Sequence, residues 1–247
     1  MSSSPRYAIY YAPRPDSALG RFGTSWLGRD VDSGQPVCRP SVAGFSSDDL
    51  AACITEPQRY GFHATLKAPF RLAADKSEYQ LIERLKAFSE SYRPFTIPTL
   101  VLADLAGFLA LIPSQHAPAL NALAAASVQG FDDFRAPPTA PELERRQPAR
   151  LSERQREFLS LWGYPYVMDE YRFHMTLTDK LDDGRRAKLM AVLAPLVAPL
   201  IGTPPAIDGI TLFVQPEPNA PFMVAERFPF QPVSRNGKAS APTRGND

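Results

Sequence analysis

The chain has 247 residues, 44% of them hydrophobic, and its 27 basic and 26 acidic side chains leave a net charge of +1. This length suits one two-lobed domain, and the balanced charge disfavours a long polynucleotide or an anionic membrane as partner. Neither Cys38 nor Cys53 has the spacing of a zinc or C-x-x-C motif, and neither a signal peptide nor a membrane span is recognisable. We therefore expect a soluble, cytoplasmic protein without metal or cofactor.

The first half of the chain predicts an alternation of strands and helices. Arg6–Tyr11 is β-branched and aromatic and predicts a strand, whereas the Gly-, Ser- and Pro-rich residues 14–59 predict loops with one short helix. A second strand is expected at residues 60–67, which read YGFHATLK. The remaining predicted elements are a helix opened by the capping box of Ser77 and Gln80, strands at residues 95–102 and 107–112, and a helix beginning at Pro118.

The second half predicts a similar series after a Pro- and Arg-rich connection at residues 131–150. The predicted elements are a helix opened by the capping box of Ser152 and Gln155, a strand at residues 171–178, a helix at residues 183–197, and strands at residues 207–214 and 222–228. Residues 234–247 predict a disordered tail, which leaves residues 1–233 as a single two-lobed domain.

The two strands expected at residues 60–67 and 171–178 contain nearly the same seven-residue repeat, which we call a phrase. YGFHATL at residues 60–66 and YRFHMTL at residues 171–177 agree at five of seven positions, and they use two of the three histidines of the chain. Each phrase is followed by a helix and two strands, so the chain contains a diverged duplication with a period near 111 residues. Two similar α+β lobes are therefore expected.

Alternation along a strand sorts each phrase into a polar and an apolar face. The polar face of the first carries His63, Thr65 and Lys67, and that of the second carries Arg172, His174, Thr176 and Thr178. If the two lobes face each other, one cleft receives two imidazoles, paired hydroxyl donors and two cations.

Such a cleft suits a phosphodiester. One histidine can activate a nucleophile, the other can protonate the leaving oxygen in line, and the hydroxyls can donate to the nonbridging oxygens without a metal. We predict His63, His174, Thr65 and Thr176 as catalytic residues, with Lys67, Arg172 and Thr178 as phosphate-binding residues. We take His174 as the base and His63 as the acid, although the residues alone leave that assignment open.

Paired H-x-[ST] motifs in a duplicated α+β chain resemble the two-histidine (2H) phosphoesterase superfamily. RYGFHATLKAPF, FDDFRAP, WGYPYV and FHMTLT further resemble a bacterial 2H family encoded with carbon–phosphorus lyase genes, over residues 6–230. The resemblance implies an α+β, two-lobed fold with two antiparallel sheets flanked by helices around a central cleft. It also implies metal-independent cyclic phosphodiesterase activity, and its suggested substrate is a ribose 1,2-cyclic phosphate 5-phosphate of phosphonate breakdown.

Other residues are weaker candidates. Tyr10 and Tyr11 lie on a strand that should flank the cleft, and one of them is expected to stack on a ligand; the residues leave open which, and Tyr11 is taken as a substrate-binding residue. Arg135 is taken as a substrate-binding residue, and the run Arg145–Arg156 is either a solvated face or an anchor for a second phosphate. Tyr60 and Tyr171 are expected on the core side, and His116 is expected to be structural.

Three functions remain open from the sequence. The favoured one is a hydrolase of a small cyclic sugar phosphate or nucleotide. The second is an RNA-end enzyme that acts on 2′,3′-cyclic phosphates or 2′-5′ linkages, for which a basic track with stacking aromatics is required. The third is a module that binds a cyclic phosphate without turning it over.

Overall fold

The structure is a computed structural model that describes residues 4–139, residue 142 and residues 151–232. The predicted tail at residues 234–247 lies outside the described residues. So does half of the predicted connection, including Arg145, Arg146 and Arg150 of the basic run.

The described chain contains nine strands and seven α-helices. The strands are β1 (Arg6–Tyr11), β2 (Ala64–Arg71), β3 (Phe95–Thr96), β4 (Leu100–Leu105), β5 (Phe108–Pro113), β6 (Met175–Thr176), β7 (Ala206–Ile207), β8 (Gly209–Gln215) and β9 (Met223–Pro229). The helices are α1 (Ala18–Leu27), α2 (Ser47–Ala52), α3 (Thr55–Tyr60), α4 (Glu78–Glu90), α5 (Pro118–Gly130), α6 (Glu153–Trp162) and α7 (Asp183–Ile201).

Local capping signals fix the helix starts. The capping boxes of Ser77 and Ser152 are both formed and open α4 and α6, and Pro118 is the first residue of α5, so these predictions are confirmed. Helix α7 begins after Asp182, whose side chain accepts a hydrogen bond from the Arg185 amide. It runs through Pro195 and ends later than the sequence predicted.

The prediction of loops over residues 14–59 was wrong, because α1, α2 and α3 lie there. The small residues that suggested loops instead let α1 pack closely against the first H-x-T segment. A Cβ at Gly23 would lie 2.0 Å from the Phe62 ring. Trp26 of the same helix is fully buried, and its Nε1 donates to the Leu177 carbonyl oxygen at 2.8 Å. Helix α1 therefore contacts both repeated phrases.

The described strands form two larger antiparallel sheets and one short pair. The first sheet has the order β2-β1-β8-β9, the second has the order β4-β5-β6, and β3 pairs with β7. The predicted α+β fold with antiparallel sheets is therefore confirmed. Each larger sheet combines strands from both halves of the chain, since β2 shares a sheet with β8 and β9 while β6 pairs with β5.

The apolar residues of both phrases belong to one hydrophobic core. Phe62, Leu66, Phe173, Met175 and Leu177 are each at most 5% exposed. Their burial fixes each phrase against the body of the protein and orients its polar face. Within the described residues, no helix combines the length and the hydropathy needed to span a membrane.

Candidate active site

The two repeated histidines line one cavity of about 790 Å³. His63 precedes β2 in the four-stranded sheet, and His174 precedes β6 in the three-stranded sheet. Thr65 and Thr176, two residues further along each strand, line the same cavity. Residues 111 positions apart thus meet because each sheet presents one phrase to the space between them.

Both imidazoles are oriented by the same local contact. The Nδ1 atom of His63 lies 2.8 Å from the Gly61 carbonyl oxygen, and that of His174 lies 2.8 Å from the Arg172 carbonyl oxygen. A carbonyl can only accept, so Nδ1 carries the proton and Nε2 is the proton acceptor of each neutral ring. Thr65 Oγ1 lies 3.4 Å from His63 Nε2.

The two histidines differ in their surroundings. His63 is stacked on Tyr10, with ring centroids 3.8 Å apart and an interplanar angle of 21°. Burial lowers the pKa of His63 to about 4. The hydrogen bond to the Gly61 carbonyl oxygen opposes this shift, because it favours the protonated ring, and nearby His174 lowers the pKa slightly further. Burial also lowers the pKa of His174. His63 is therefore the more firmly neutral of the two.

Gly61 explains why the phrases differ at their second letter. Its φ is +81°, and a Cβ there would lie 2.1 Å from Val31 Cγ1. Only glycine fits this backbone and this close approach. Arg172 at the equivalent position has no such constraint and is exposed.

The first of the two predicted strands begins four residues later than expected, and the second is much shorter than expected. Tyr60 is the last residue of α3, and β2 begins only at Ala64, while β6 consists of Met175–Thr176 alone. Alternation therefore does not apply to Tyr60, which lines the cavity and also packs against the smaller core cluster that contains Tyr10 and Phe222. Tyr171 packs against the main core, as predicted.

Lys67 is not on the cavity face, because a register shift interrupts the alternation. Tyr10 pairs with Thr65 but Ile9 pairs with Lys67, which leaves Leu66 as an extra residue of β2. Lys67 is 3% exposed, and its Nζ donates to the Val128 carbonyl oxygen at 3.0 Å. Burial lowers the pKa of Lys67 to about 8, although the carboxylate of Asp132, whose Oδ1 lies 3.4 Å from Nζ, opposes this shift. The expected contact between Lys67 and phosphate is therefore not supported.

The other predicted binding residues also fall mainly outside the cavity. Arg172 is exposed and does not line it. Tyr11 points into the core, where its hydroxyl donates to the Ala206 carbonyl oxygen at 3.2 Å, because alternation gives the cavity face to Tyr10. Thr178 lines the cavity, but its hydroxyl accepts from the Leu109 amide and donates to the Asp179 carbonyl oxygen.

Arg135 and the described end of the basic run are held by structural contacts. Arg135 donates to Asp132 at 2.8 Å and to the Leu161 carbonyl oxygen at 3.0 Å, and it does not line this cavity. Arg154 pairs with Glu157 and Asp169 on the surface of α6. Neither arginine faces the two histidines.

Several cavity residues were missed by the sequence reading. They include Arg6, Arg71, Lys180 and Gln215. The period-two spacing of Arg6 and Tyr10 on β1 was a usable signal. Simple alternation from Thr65 also gives Arg71 the cavity face, because a second register shift, between Tyr7 and Ile9, restores the parity that the first one reverses at Lys67.

Arg71 is paired within the cavity wall. It donates to both carboxylate oxygens of Glu142, at 3.3 and 3.1 Å. Burial opposes ionisation of Glu142, but hydrogen bonds from Arg71 and Thr139 outweigh it and lower the pKa of Glu142 to about 2. The Arg71 charge is therefore neutralised at neutral pH. Among the described residues, no group of three or more His, Cys, Asp or Glu side chains is arranged to hold a metal ion.

Comparison with known proteins gives a family. Residues 65–223 match the family model described as "Protein of unknown function (DUF1045)". Two proteins named "Ribose 1,5-bisphosphate phosphokinase PhnN" are similar in sequence. The one from Janthinobacterium sp. (strain Marseille) is 37% identical over 98% of this chain and 54% of its own length. The one from Laribacter hongkongensis (strain HLHK9) is 38% identical over 88% of this chain and 50% of its own length. The chain thus spans about half the length of the curated relatives it matches.

Two solved structures also align with most of the chain. One is Escherichia coli LigT complexed with 3′-AMP, with a TM-score of 0.44 and 11% identity over 92% of this chain and 99% of that one. The other is described as a phosphoesterase, with a TM-score of 0.40 and 12% identity over the same shares of the two chains.

Proposed function

The chain belongs to the DUF1045 family, and we propose that it is a 2H-type phosphodiesterase that opens the cyclic phosphate of a small sugar phosphate. The observation that carries the proposal is the meeting of His63 and His174 in one cavity. Each has Nδ1 held by a backbone carbonyl oxygen and Nε2 left for proton transfer. Two imidazoles presented to one cavity by different sheets supply the base and the acid that in-line cleavage of a phosphodiester requires.

His63 serves as the base and His174 as the acid. The base must be neutral before reaction, and His63 has the lower pKa because it is buried against Tyr10. This is the reverse of the assignment taken from the sequence.

In the proposed step, His63 Nε2 takes a proton from water as the water oxygen forms a bond to phosphorus. The bond from phosphorus to the departing sugar oxygen breaks, and protonated His174 gives its Nε2 proton to that oxygen. The hydroxyls of Thr65 and Thr176 donate to the nonbridging oxygens. The product is a phosphate monoester, and both histidines exchange one proton with solvent to restore the starting state.

We propose a ribose 1,2-cyclic phosphate 5-phosphate as substrate. The resemblance of the motifs to the 2H family encoded with phosphonate genes supports it. The name of the curated relatives, which refers to a ribose bisphosphate, also supports it, although the kinase activity in that name concerns those longer proteins. A cavity of about 790 Å³ has room for a sugar that carries two phosphates.

A panel of cyclic phosphates, followed by phosphorus NMR in the presence of EDTA, tests the proposal. We expect the ribose 1,2-cyclic phosphate 5-phosphate to be opened to a single bisphosphate regioisomer, faster than a 2′,3′-cyclic nucleotide or an RNA with a 2′,3′-cyclic end. Preference for the RNA would favour an RNA-end enzyme. Binding of the panel without any turnover would contradict the enzyme and favour a binding module.

A further inference from the structure

Arg6 is fixed at the end of the cavity by an uncharged partner. Its Nε donates to Gln215 Oε1 at 2.7 Å, and its Cζ lies 5.5 Å from the centroid of the Phe222 ring. Gln215 is itself 1% exposed, and its Nε2 donates to the Ala220 carbonyl oxygen at 2.6 Å. This second bond fixes which amide atom faces Arg6. The arginine is thus oriented without being neutralised.

The charge of Arg6 is not balanced locally. Within residues 4–139, 142 and 151–232, no carboxylate oxygen lies within 4 Å of its guanidinium nitrogens. Its register partner on β2 is Arg71, which is neutralised by Glu142. Of these two neighbouring guanidinium groups, Arg6 is the one whose charge is not already balanced by a carboxylate, so it is the better suited to bind an anionic ligand.

The position of Arg6 relative to His63 follows from the aromatic contacts. Phe222, against which the guanidinium lies, is 6.3 Å from the Tyr10 ring and 5.1 Å from the Tyr60 ring between centroids. Both tyrosines face His63, at 3.8 and 6.3 Å. Two aromatic rings, that of Phe222 and that of a tyrosine, therefore lie between Arg6 and His63, and both Arg6 and His63 line the cavity.

We propose that Arg6 binds a second phosphate of the substrate, a phosphomonoester remote from the cyclic phosphate, and so determines specificity for doubly phosphorylated sugars. An oriented guanidinium that lacks a carboxylate partner matches two oxygens of a phosphate through parallel N–H donors. The inference rests on the proposed function for the identity of the substrate. The observations that carry it are the bonds to Gln215, the packing on Phe222 and the neutralisation of Arg71.

The test compares Arg6→Gln and Arg6→Lys with Arg14→Gln. Arg14 is an exposed arginine paired with Asp16, and it does not line the cavity, so it controls for loss of a surface charge. For ribose 1,2-cyclic phosphate 5-phosphate, we expect Arg6→Gln to raise KM about 10- to 100-fold with kcat little changed, because one charged hydrogen-bonded contact is lost. Arg6→Lys should recover part of the loss. For a 2′,3′-cyclic nucleotide without a second phosphate, the rise in KM should be much smaller, because that substrate offers Arg6 no phosphomonoester.

Calorimetric binding of ribose 5-phosphate gives a readout independent of turnover. The wild type and Arg14→Gln should bind it alike, and Arg6→Gln should bind it at least tenfold more weakly, with thermal melting used to confirm that each variant is folded. Equal binding by folded Arg6→Gln or Arg6→Lys and the wild type would overturn the inference. So would equal losses of kcat/KM for substrates with and without the second phosphate. If the wild type opened no cyclic phosphate but bound ribose 5-phosphate through Arg6, the proposed function would fail and the subsite would stand.

Discussion

Tyr10 lies flat against His63, with ring centroids 3.8 Å apart, whereas the ring recorded beside His174 is Phe108, tilted by 57° with its centroid 5.8 Å away. The two repeated phrases therefore place identical imidazoles in different environments. The stack removes water from one face of His63 and keeps its pKa near 4. In the proposed mechanism, this difference separates the base from the acid.

Removal of either repeated histidine should strongly reduce turnover. We expect His63→Ala and His174→Ala each to lower kcat about 10²- to 10⁴-fold, the usual contribution of a positioned acid or base. His116→Ala is the matched control, since His116 is exposed, bonds to Asn121 and lies outside the cavity. Near-normal kcat in either catalytic variant would contradict the mechanism.

The pH dependence of kcat/KM should have its maximum on the acidic side of pH 6.5. Activity requires neutral His63 and protonated His174, and the pKa values of both are lowered by burial, that of His63 to about 4. Activity should therefore fall as pH drops towards 4 and again as pH rises towards 6.5. In His174→Ala the residual activity should lose the alkaline limb and keep the acid limb. An alkaline limb that persists there would argue against His174 as the acid.

Loss of the Tyr10 ring should raise the pKa of His63. In Tyr10→Ala water reaches the exposed imidazole face, so the pKa should move from about 4 towards 6.5, which proton NMR of the His63 ring can follow. The variant should also lose about 3 kcal/mol in the free energy of unfolding, because Tyr10 is 1% exposed. Tyr10→Phe keeps the stacked ring and should leave the His63 pKa unchanged. A shift of the same size in Tyr10→Phe would show that stacking is not the cause.

Substitution of Gly61 should disturb both stability and the site. Gly61→Ala combines a positive φ with a contact of 2.1 Å to Val31 Cγ1, and we expect a loss of about 2–4 kcal/mol in the free energy of unfolding. Its kcat should fall as well, since the Gly61 carbonyl oxygen orients His63. Gly44→Ala is the control: its φ is +79° but its Cβ would meet nothing within 4 Å, so it should lose only about 1 kcal/mol. Equal losses in chemical denaturation would refute the role of the contact.

Lys67 should prove structural. Lys67→Met replaces a buried cation by an apolar chain of similar length, and KM should stay within about threefold of the wild type, with a change of less than about 1.5 kcal/mol in the free energy of unfolding. Asp132→Ala should instead cost about 3 kcal/mol, because it leaves Lys67 buried without its counter-charge. A tenfold rise in KM for Lys67→Met would place Lys67 on the substrate after all.

Much of the architecture could be predicted because it depends on local signals. The bounds of β1, the capped starts of α4 and α6 and the proline start of α5 follow from residues close in sequence. The helices at residues 18–60 could not be predicted from composition, because the glycines there serve packing between segments that are distant in the chain. Gly23 of α1 packs against Phe62, and Gly61 at the end of α3 packs against Val31. The exchange of strands between the two halves was equally hidden, since sheet partners are chosen by tertiary packing.

The sequence by itself determined the repeated H-x-T phrases, and with them the candidate catalytic residues. The order of the residues fixes which side chains share a face, over the few positions where side chains alternate between the two faces of a strand. The tertiary structure alone decided which cations face the cavity, because the first register shift in β2 turns Lys67 inward and the second returns Arg71 to the wall beside Arg6. It also decided how the two histidines differ, because the Tyr10 ring that desolvates His63 comes from a strand more than fifty residues earlier.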